Sequence, residues 1–403
     1  MGTQGIIAIL GTFDSKPEEH LFLKRNIEDR GLKTLTINVG TRCPAAFAPD
    51  IDLHEKLTEE DRRSRDAAIQ ATVDRGRKLV RDLYDRGEIS GIISAGGGTG
   101  THLGTSIMHV LPLGVPKVMV STVASRNMAK VVGTKDITMM HSVVDLLGIN
   151  SISGGVLERA AGAVCGMAQN RWRPDTTRRR VALTFFGFIT AAAEAVKECL
   201  EGMDYEVIPF HANGTGGMAM EELAAEGYFH AILDLATHEL ADEMMGGYCR
   251  GIGPERLRPL TNGHIPRLVV PGGLDCAVLE FTRQNIPEEF RDRKLFFYDF
   301  RSAIRLTLEE TLTLAEQLVE KLKIHPTHTK VLVPVQGWSE ADRKGGPLYD
   351  PPISEALVKV LRTALHPRIE VREADLHIND PAFARAAGML MDEMVKEAMG
   401  SSQ

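Results

Sequence analysis

Gly91-Ile92-Ile93-Ser94-Ala95-Gly96-Gly97-Gly98-Thr99-Gly100-Thr101 is the stretch that decides the fold, because a short apolar strand runs straight into glycines and then into a helical segment. Glycine lacks a Cβ, so backbone amides there can approach a ligand closely, and the helix that follows turns unpaired N–H groups and a positive dipole end toward an anion. Thr99 and Thr101 add hydroxyl donors. The stretch has neither the GxGxxG spacing nor a Lys after its last glycine, so it matches neither common phosphate loop. Two readings stand: a phosphate cradle, or a Gly-rich turn needed only for tight strand–helix packing.

Working outward, short β-branched runs at 5–11, 34–40, 91–95 and 117–121 alternate with helical stretches at 18–30 and 62–86. That rhythm predicts a parallel sheet wrapped by helices. The charges of 62–86 recur around Ala68, Val73, Leu79, Val80 and Leu83, as on a helix with one wet face, and carry no assigned role. Periodicity lapses across the polar stretch 171–178, and Val181–Phe186 opens a second alternating set. Its strands are expected at 205–209, 231–235, 268–270, 294–298, 330–335 and 369–372. Its helices are expected at 191–201, 218–226, 306–323 and 354–365. The expected fold is therefore α/β, two tandem doubly wound, Rossmann-like parallel-sheet domains at 1–178 and 179–403 with an interdomain cleft.

Composition narrows the function classes. A formal net charge of −7 over 403 residues supplies no basic field, and the one dense basic run, Arg178-Arg179-Arg180, falls where a linker is expected, so nucleic acid is not an expected partner. Five scattered cysteines form no CxxC and read as free thiols of a reducing compartment. Cys276, beside Asp275, reads as a small buried filler. No apolar run reaches membrane-spanning length and the N-terminus lacks a leader pattern, so a soluble, cytoplasmic protein is expected.

In open parallel sheets ligands bind beyond the carboxyl ends of the strands. In the first domain those loops carry Gly11, Thr12, Asp14, Ser15 and Lys16, then Thr41 and Arg42, then Gly96, Gly97, Gly98, Thr99, Gly100 and Thr101, then Ser121 and Thr122. Amides, small hydroxyls, a Lys and an Arg suit phosphates, and Asp14 suits a ribose hydroxyl or a metal ion. Alternatively, Lys16 is a solvated residue before Pro17, and Asp14 and Ser15 merely cap the next helix.

The second domain answers with Phe210-His211-Ala212-Asn213-Gly214-Thr215-Gly216-Gly217, with Thr237-His238-Glu239, with Pro271-Gly272-Gly273-Leu274-Asp275, and with His377-Ile378-Asn379-Asp380. His211, Glu239, Asp275 and His377 are the candidate catalytic residues, each also readable alone as packing or capping. His238-Glu239 opens like a zinc-peptidase helix, but position 242 is Asp rather than the required His. The loop 337–350 reads either as a lid or as a structural loop held by Trp338 and Tyr349.

GTFDSKPEE (11–19), INVGT (37–41), SAGGGTGT (94–101), PFHANGTGG (209–217), PGGLD (271–275), GWS (337–339), GGPLYD (345–350) and HINDP (377–381), in that order, resemble a bacterial and fungal family related to the N-terminal region of the tomato mosaic virus resistance protein of tomato. The resemblance spans almost the whole chain. It implies ATP binding by two α/β subdomains and dimer formation, with nucleotide contacts carried onto Gly11, Thr12, Asp14, Lys16, Thr41, Gly96, Gly97, Gly98, Thr99 and Thr101. His238 stands where the family pattern has Thr. The plant protein's antiviral action is not carried over, because that protein has a further barrel domain that the resemblance does not cover.

The leading expectation is a homodimeric enzyme that holds ATP and Mg²⁺ in the first domain, with Asp14 on the metal, and a small polar metabolite at the cleft. Phosphoryl or nucleotidyl transfer would use Lys16 and the metal for charge and His211 or His377 as base. The alternatives are a nucleotide-regulated binding module without turnover, and a nucleotide-sugar or nicotinamide enzyme. Asn38 at the end of the second strand, where a nicotinamide site places an acidic residue, speaks against nicotinamide.

Overall fold

The computed structural model describes residues 5–170, 177–258 and 265–400. The chain divides into two compact units, Met1–Pro174 and Asp175–Gln403. Residues 171–176, within the polar stretch chosen above as the boundary, lie outside the described residues.

The first unit runs β1 (Ile6–Gly11), α1 (Pro17–Glu28), β2 (Lys33–Asn38), β3 (Ile51–Asp52), α2 (Arg65–Asp85), β4 (Ile89–Gly96), α3 (Gly98–Met108), β5 (Lys117–Ser121), α4 (Ala129–Val132), β6 (Thr138–His141) and α5 (Ser153–Gln169). Its six strands lie in the order β3-β2-β1-β4-β5-β6, all parallel. Both faces of β1 are covered, which is why it reads as an unbroken apolar run. Ala8 and Leu10 join a core with residues of α2 and α3, whereas Ile7 and Ile9 join a core with residues of α1 and α5. The strand order reverses between β1 and β4, so the loops after those two strands leave in opposite directions and open a crevice.

The second unit runs β7 (Arg179–Phe185), α6 (Thr190–Glu201), β8 (Tyr205–His211), α7 (Thr215–Ala225), β9 (Ala231–Ala236), α8 (Glu239–Met245), β10 (Arg267–Gly272), β11 (Cys276–Leu279), β12 (Leu295–Phe297), β13 (Ser302–Arg305), α9 (Leu308–Leu322), β14 (Thr329–Pro334), α10 (Pro351–Ala364), β15 (Glu370–Ala374) and α11 (Pro381–Gly400). Its main sheet is also parallel, in the order β8-β7-β9-β10-β14-β15. A small antiparallel sheet, β11-β13-β12, is inserted after β10. The segment 294–298, expected in the parallel sheet, lies in this insert instead. Only residues 298–301 separate β12 from β13, too few for a parallel crossover, so the two strands form a hairpin. Among the described residues no helix is long and apolar enough to cross a membrane.

The core of the second unit holds an ion network. Arg256 donates to Asp234 (2.6 Å), to Glu221 (3.1 Å) and to Glu239, while Arg267 donates to Glu221 (2.5 Å) and Asp234 (2.8 Å), with every one of these side chains buried. Burial works against the Arg256 charge, but Asp234, Glu239 and Glu221 outweigh it and hold the guanidinium protonated. Removing one member leaves uncompensated buried charge. Arg256→Met should therefore cost about 3–5 kcal/mol, read as a lowered urea midpoint of unfolding.

Candidate functional site

The crevice at the β1–β4 reversal holds a cavity of about 280 Å³ whose lining includes Thr12, Asp14, Lys16, Thr41, Arg42, Arg65, Gly97, Gly98, Thr99 and Gly100. Each wall follows from its local sequence. After β1 the chain turns on itself, with the Ser15 and Lys16 amides bonded to the Thr12 carbonyl, and Pro17 then starts α1. The loop after β2 is fastened to this turn: the Arg42 amide donates to Asp14 Oδ2 (3.1 Å) and the Ala46 amide to the Phe13 carbonyl (3.0 Å). Asn38 Oδ1 accepts from the Phe13 and Gly40 amides, so this side chain is spent inside the fold. Lys16 Nζ bonds the Leu146 carbonyl, and neither Asp14 nor Ser15 caps α1. Asp14 Oδ1 is buried without a hydrogen-bond partner among the described residues.

The third wall is the start of α3. Gly97 is its cap, no side chain accepts from the exposed amides, and its first turn carries no acidic residue. The glycines here differ in what they do. At Gly96 a Cβ would lie 2.8 Å from the Gly100 Cα, so close packing requires glycine. At Gly97 and Gly100 a Cβ would meet only ordinary contacts at 3.7 and 3.8 Å, and at Gly98 it would meet nothing within 4 Å. None of the three has a positive φ. Neither packing nor backbone conformation explains them, so what they supply is open space beside bare amides. Arg65, the first residue of α2, closes the rim by donating to Thr99 Oγ1 at 3.0 Å. Three cationic side chains and one carboxylate on an uncapped helix start suit an anion, with Asp14 placed to take an accompanying cation.

The residues of the first unit do not all face this space. Thr101 and Ser121 are buried and bonded to each other at 2.7 Å, tying α3 to β5. Gly11 packs against Phe13 and His20. The Thr122 amide bonds the Gly96 carbonyl, and its hydroxyl flanks Gly97.

In the second unit the matching strand–glycine–helix segment closes on itself. The Gly214 amide donates to Glu239 Oε2 at 2.8 Å, and a Cβ on Gly217 would sit 2.1 Å from Glu239 Oε1, so this carboxylate occupies the start of α7. Of the four residues singled out above, Asp275 and His377 both meet Ser339, while Glu239 and His211 have other surroundings. Glu239 belongs to the arginine network. Asp275 is buried and accepts from Ser339 Oγ (2.8 Å). His377 bonds the Ser339 carbonyl through Nε2 (3.0 Å) and accepts the Asn379 amide at Nδ1 (3.1 Å). The histidine meets the Ser339 carbonyl rather than its hydroxyl, which donates to the Asp275 carboxylate instead. His211 sits at the surface at the end of β8, its pKa held below the usual histidine range by partial burial and by Arg301. Trp338 is 1 % exposed and anchors the loop 337–350 in the core, which favours the structural reading of that loop.

Residues 5–173 match the N-terminal domain, and residues 178–395 the C-terminal domain, of an uncharacterised protein family, UPF0261. The chain belongs to this family. A UPF0261 protein of Clostridium tetani is 37 % identical over 97 % of this chain and 99 % of its own length, and one of Rhizobium meliloti is 34 % identical over 94 % and 97 %. The ToMV resistance protein Tm-1(GCR237) of Solanum lycopersicum is 36 % identical over 75 % of this chain but only 41 % of its own length. Among solved structures, a UDP-GlcNAc 2-epimerase of Methanocaldococcus jannaschii in complex with UDP-GlcNAc and UDP covers 97 % of this chain and 99 % of its own at 10 % identity, with a TM-score of 0.22. Membership of the family thus agrees with the two α/β units and leaves the activity to be argued from the site.

Two outcomes follow from this geometry. Gly96→Ala should destabilise by about 1–3 kcal/mol through overpacking, whereas Gly98→Ala should leave stability unchanged or raise it by about 0.4–1 kcal/mol, as thermal unfolding of the two variants will show. The second concerns pH. Burial and the neighbouring Asp275 push Asp342 up to about 7 from an ordinary 3.8. The folded state then binds the extra proton, so this group makes stability fall as pH rises from about 4 to 7, by at most about 1.4 kcal/mol per unit. Asp342→Asn should flatten that part of the profile in urea unfolding at a series of pH values.

Proposed function

We propose that the first unit binds ATP with Mg²⁺, gripping the phosphates at the start of α3. The observation that supports this most is the pair Gly97 and Gly98, whose missing side chains serve no contact in the fold and leave amides bare beside Arg42, Arg65 and Lys16. The unpartnered Asp14 oxygen fits a magnesium ion that keeps its other ligands from phosphate and water. Asn38, already bonded to the Phe13 and Gly40 amides and to Asp52, offers no acceptor to a ribose diol, which argues against a nicotinamide.

In the enzyme form of this reading the nucleotide is a phosphoryl or nucleotidyl donor to a small polar metabolite, and Lys16 with the metal neutralises the charge in transfer. Of the four candidate catalytic residues in the second unit, Glu239, Asp275 and His377 are committed to protein partners, while the His211 ring has no hydrogen bond among the described residues.

Isothermal titration of the full chain with ATP and Mg²⁺ should give saturable binding at one site per chain. Gly97→Val and Arg65→Ala should each weaken it at least tenfold, about 1.4 kcal/mol, with unchanged circular dichroism. No heat with the wild type, or full affinity in Gly97→Val, would overturn the proposal. Tighter binding of a UDP-sugar than of ATP would move it to the nucleotide-sugar class.

A further inference from the structure

Away from the glycine cavity, α8 with its cap and the turn after it gather three potential metal ligands whose donor atoms all lie within 4.8 Å of one another: His238, Asp242 and Cys249, all buried. We propose that His238, Asp242 and Cys249 form a binding site for a divalent metal ion of the zinc class. His238 and Asp242 stand four residues apart, one helical turn, and so present their side chains on one face. The chain then reverses through Gly246 in the left-handed region and passes Gly247, where a Cβ would lie 2.6 Å from the Asp242 carboxyl carbon, and this close approach returns Cys249 to the same spot. The sequence signal fell short of this reading because the expected second histidine is replaced by Asp242, and the third donor sits seven residues further on.

The state of His238 points to a missing partner. His238 is 1 % exposed and stacked on Phe186, with ring centroids 3.8 Å apart, yet neither of its nitrogens has a hydrogen-bond partner among the described residues. A buried imidazole always has one N–H to place and one lone pair to satisfy, and a metal takes the lone pair. Asp242 is buried with no Lys or Arg ion pair among the described residues. Its oxygens accept the Val278 amide (2.7 Å) and the Cys249 amide (2.8 Å), which orient the carboxylate, and the Cys249 thiol bonds the same carboxylate through a proton that a metal ion would replace. On binding, the Cys249 thiol passes its proton to solvent and its sulfur bonds the metal. Thiolate and carboxylate then cancel the dication, so the buried centre is neutral overall. Cys, His and carboxylate are zinc ligands, and the thiolate disfavours magnesium or calcium. With its donors enclosed, the ion would clamp the α8 turn to β11, which carries Val278.

The test uses the full chain, stripped with chelator and titrated with Zn²⁺ or Co²⁺. One metal per chain, a thiolate-to-cobalt charge-transfer band, and a chelator-reversible rise in melting temperature are expected. The band should vanish in Cys249→Ser and persist in Cys276→Ser, both checked for native circular dichroism. X-ray absorption of the zinc-loaded wild type needs no variant, and should show one sulfur at about 2.3 Å with nitrogen and oxygen near 2.0–2.2 Å. An all-oxygen and nitrogen shell, no cobalt band at saturation, or an undiminished band in folded Cys249→Ser would overturn the proposal.

Discussion

Parallel pairing is the constraint on which the rest of the structure depends. Strands that all run one way must be joined by crossovers over the faces, so both faces are buried and every strand–helix loop emerges at one edge. The only place where neighbouring loops part is where strand order reverses. In the first unit that place lies between Gly11 and Gly96, the ends of β1 and β4, and it is open. The reversal in the second unit, between β7 and β9, is occupied by the fold itself: Phe186 and His238 stack there, and Gly273 with φ +76 lets the chain pass against both. One architecture thus yields an accessible crevice in one unit and a packed one in the other.

Much of this was legible in the sequence. The alternation of short apolar runs with longer periodic stretches marked both sheets, and the rule that loops at strand ends carry ligands led to Thr12, Asp14, Thr41 and the glycines. Arg65 was missed because its helix is amphipathic and its many charges read as a wet face. Only its place as the first residue of α2 brings it to Thr99. Helix α5 is not evident from the sequence because Gly154, Gly155, Gly162 and Gly166 dilute its periodicity, and α11 lies beyond the last expected strand. Nor does sequence distinguish a glycine that makes room for a ligand from one that makes room for the chain. Gly98 and Gly216 occupy equivalent-looking strand–glycine–helix segments, yet a Cβ meets nothing at the first and the His211 carbonyl at 1.9 Å at the second.

The same limit explains the candidate catalytic residues. Polar side chains at strand ends look alike in sequence whether they face solvent or one another. Glu239 was singled out for its place on a strand-end loop, but two arginines from distant segments, Arg256 and Arg267, build the network that absorbs it. Those partners lie 17 and 28 positions further along the chain, beyond the reach of any local motif.

The Glu239 carboxylate has a consequence for how the two halves respond to their surroundings. At the start of α7 the compensating negative charge is covalently part of the chain, present at a fixed effective concentration whatever the solvent contains. The opening turn of α3 has no resident counterpart, so the charge it meets is set by the solutes around it and by ionic strength. One half therefore carries its own counterion as an inherited constant, while the other takes its electrostatic balance from the medium.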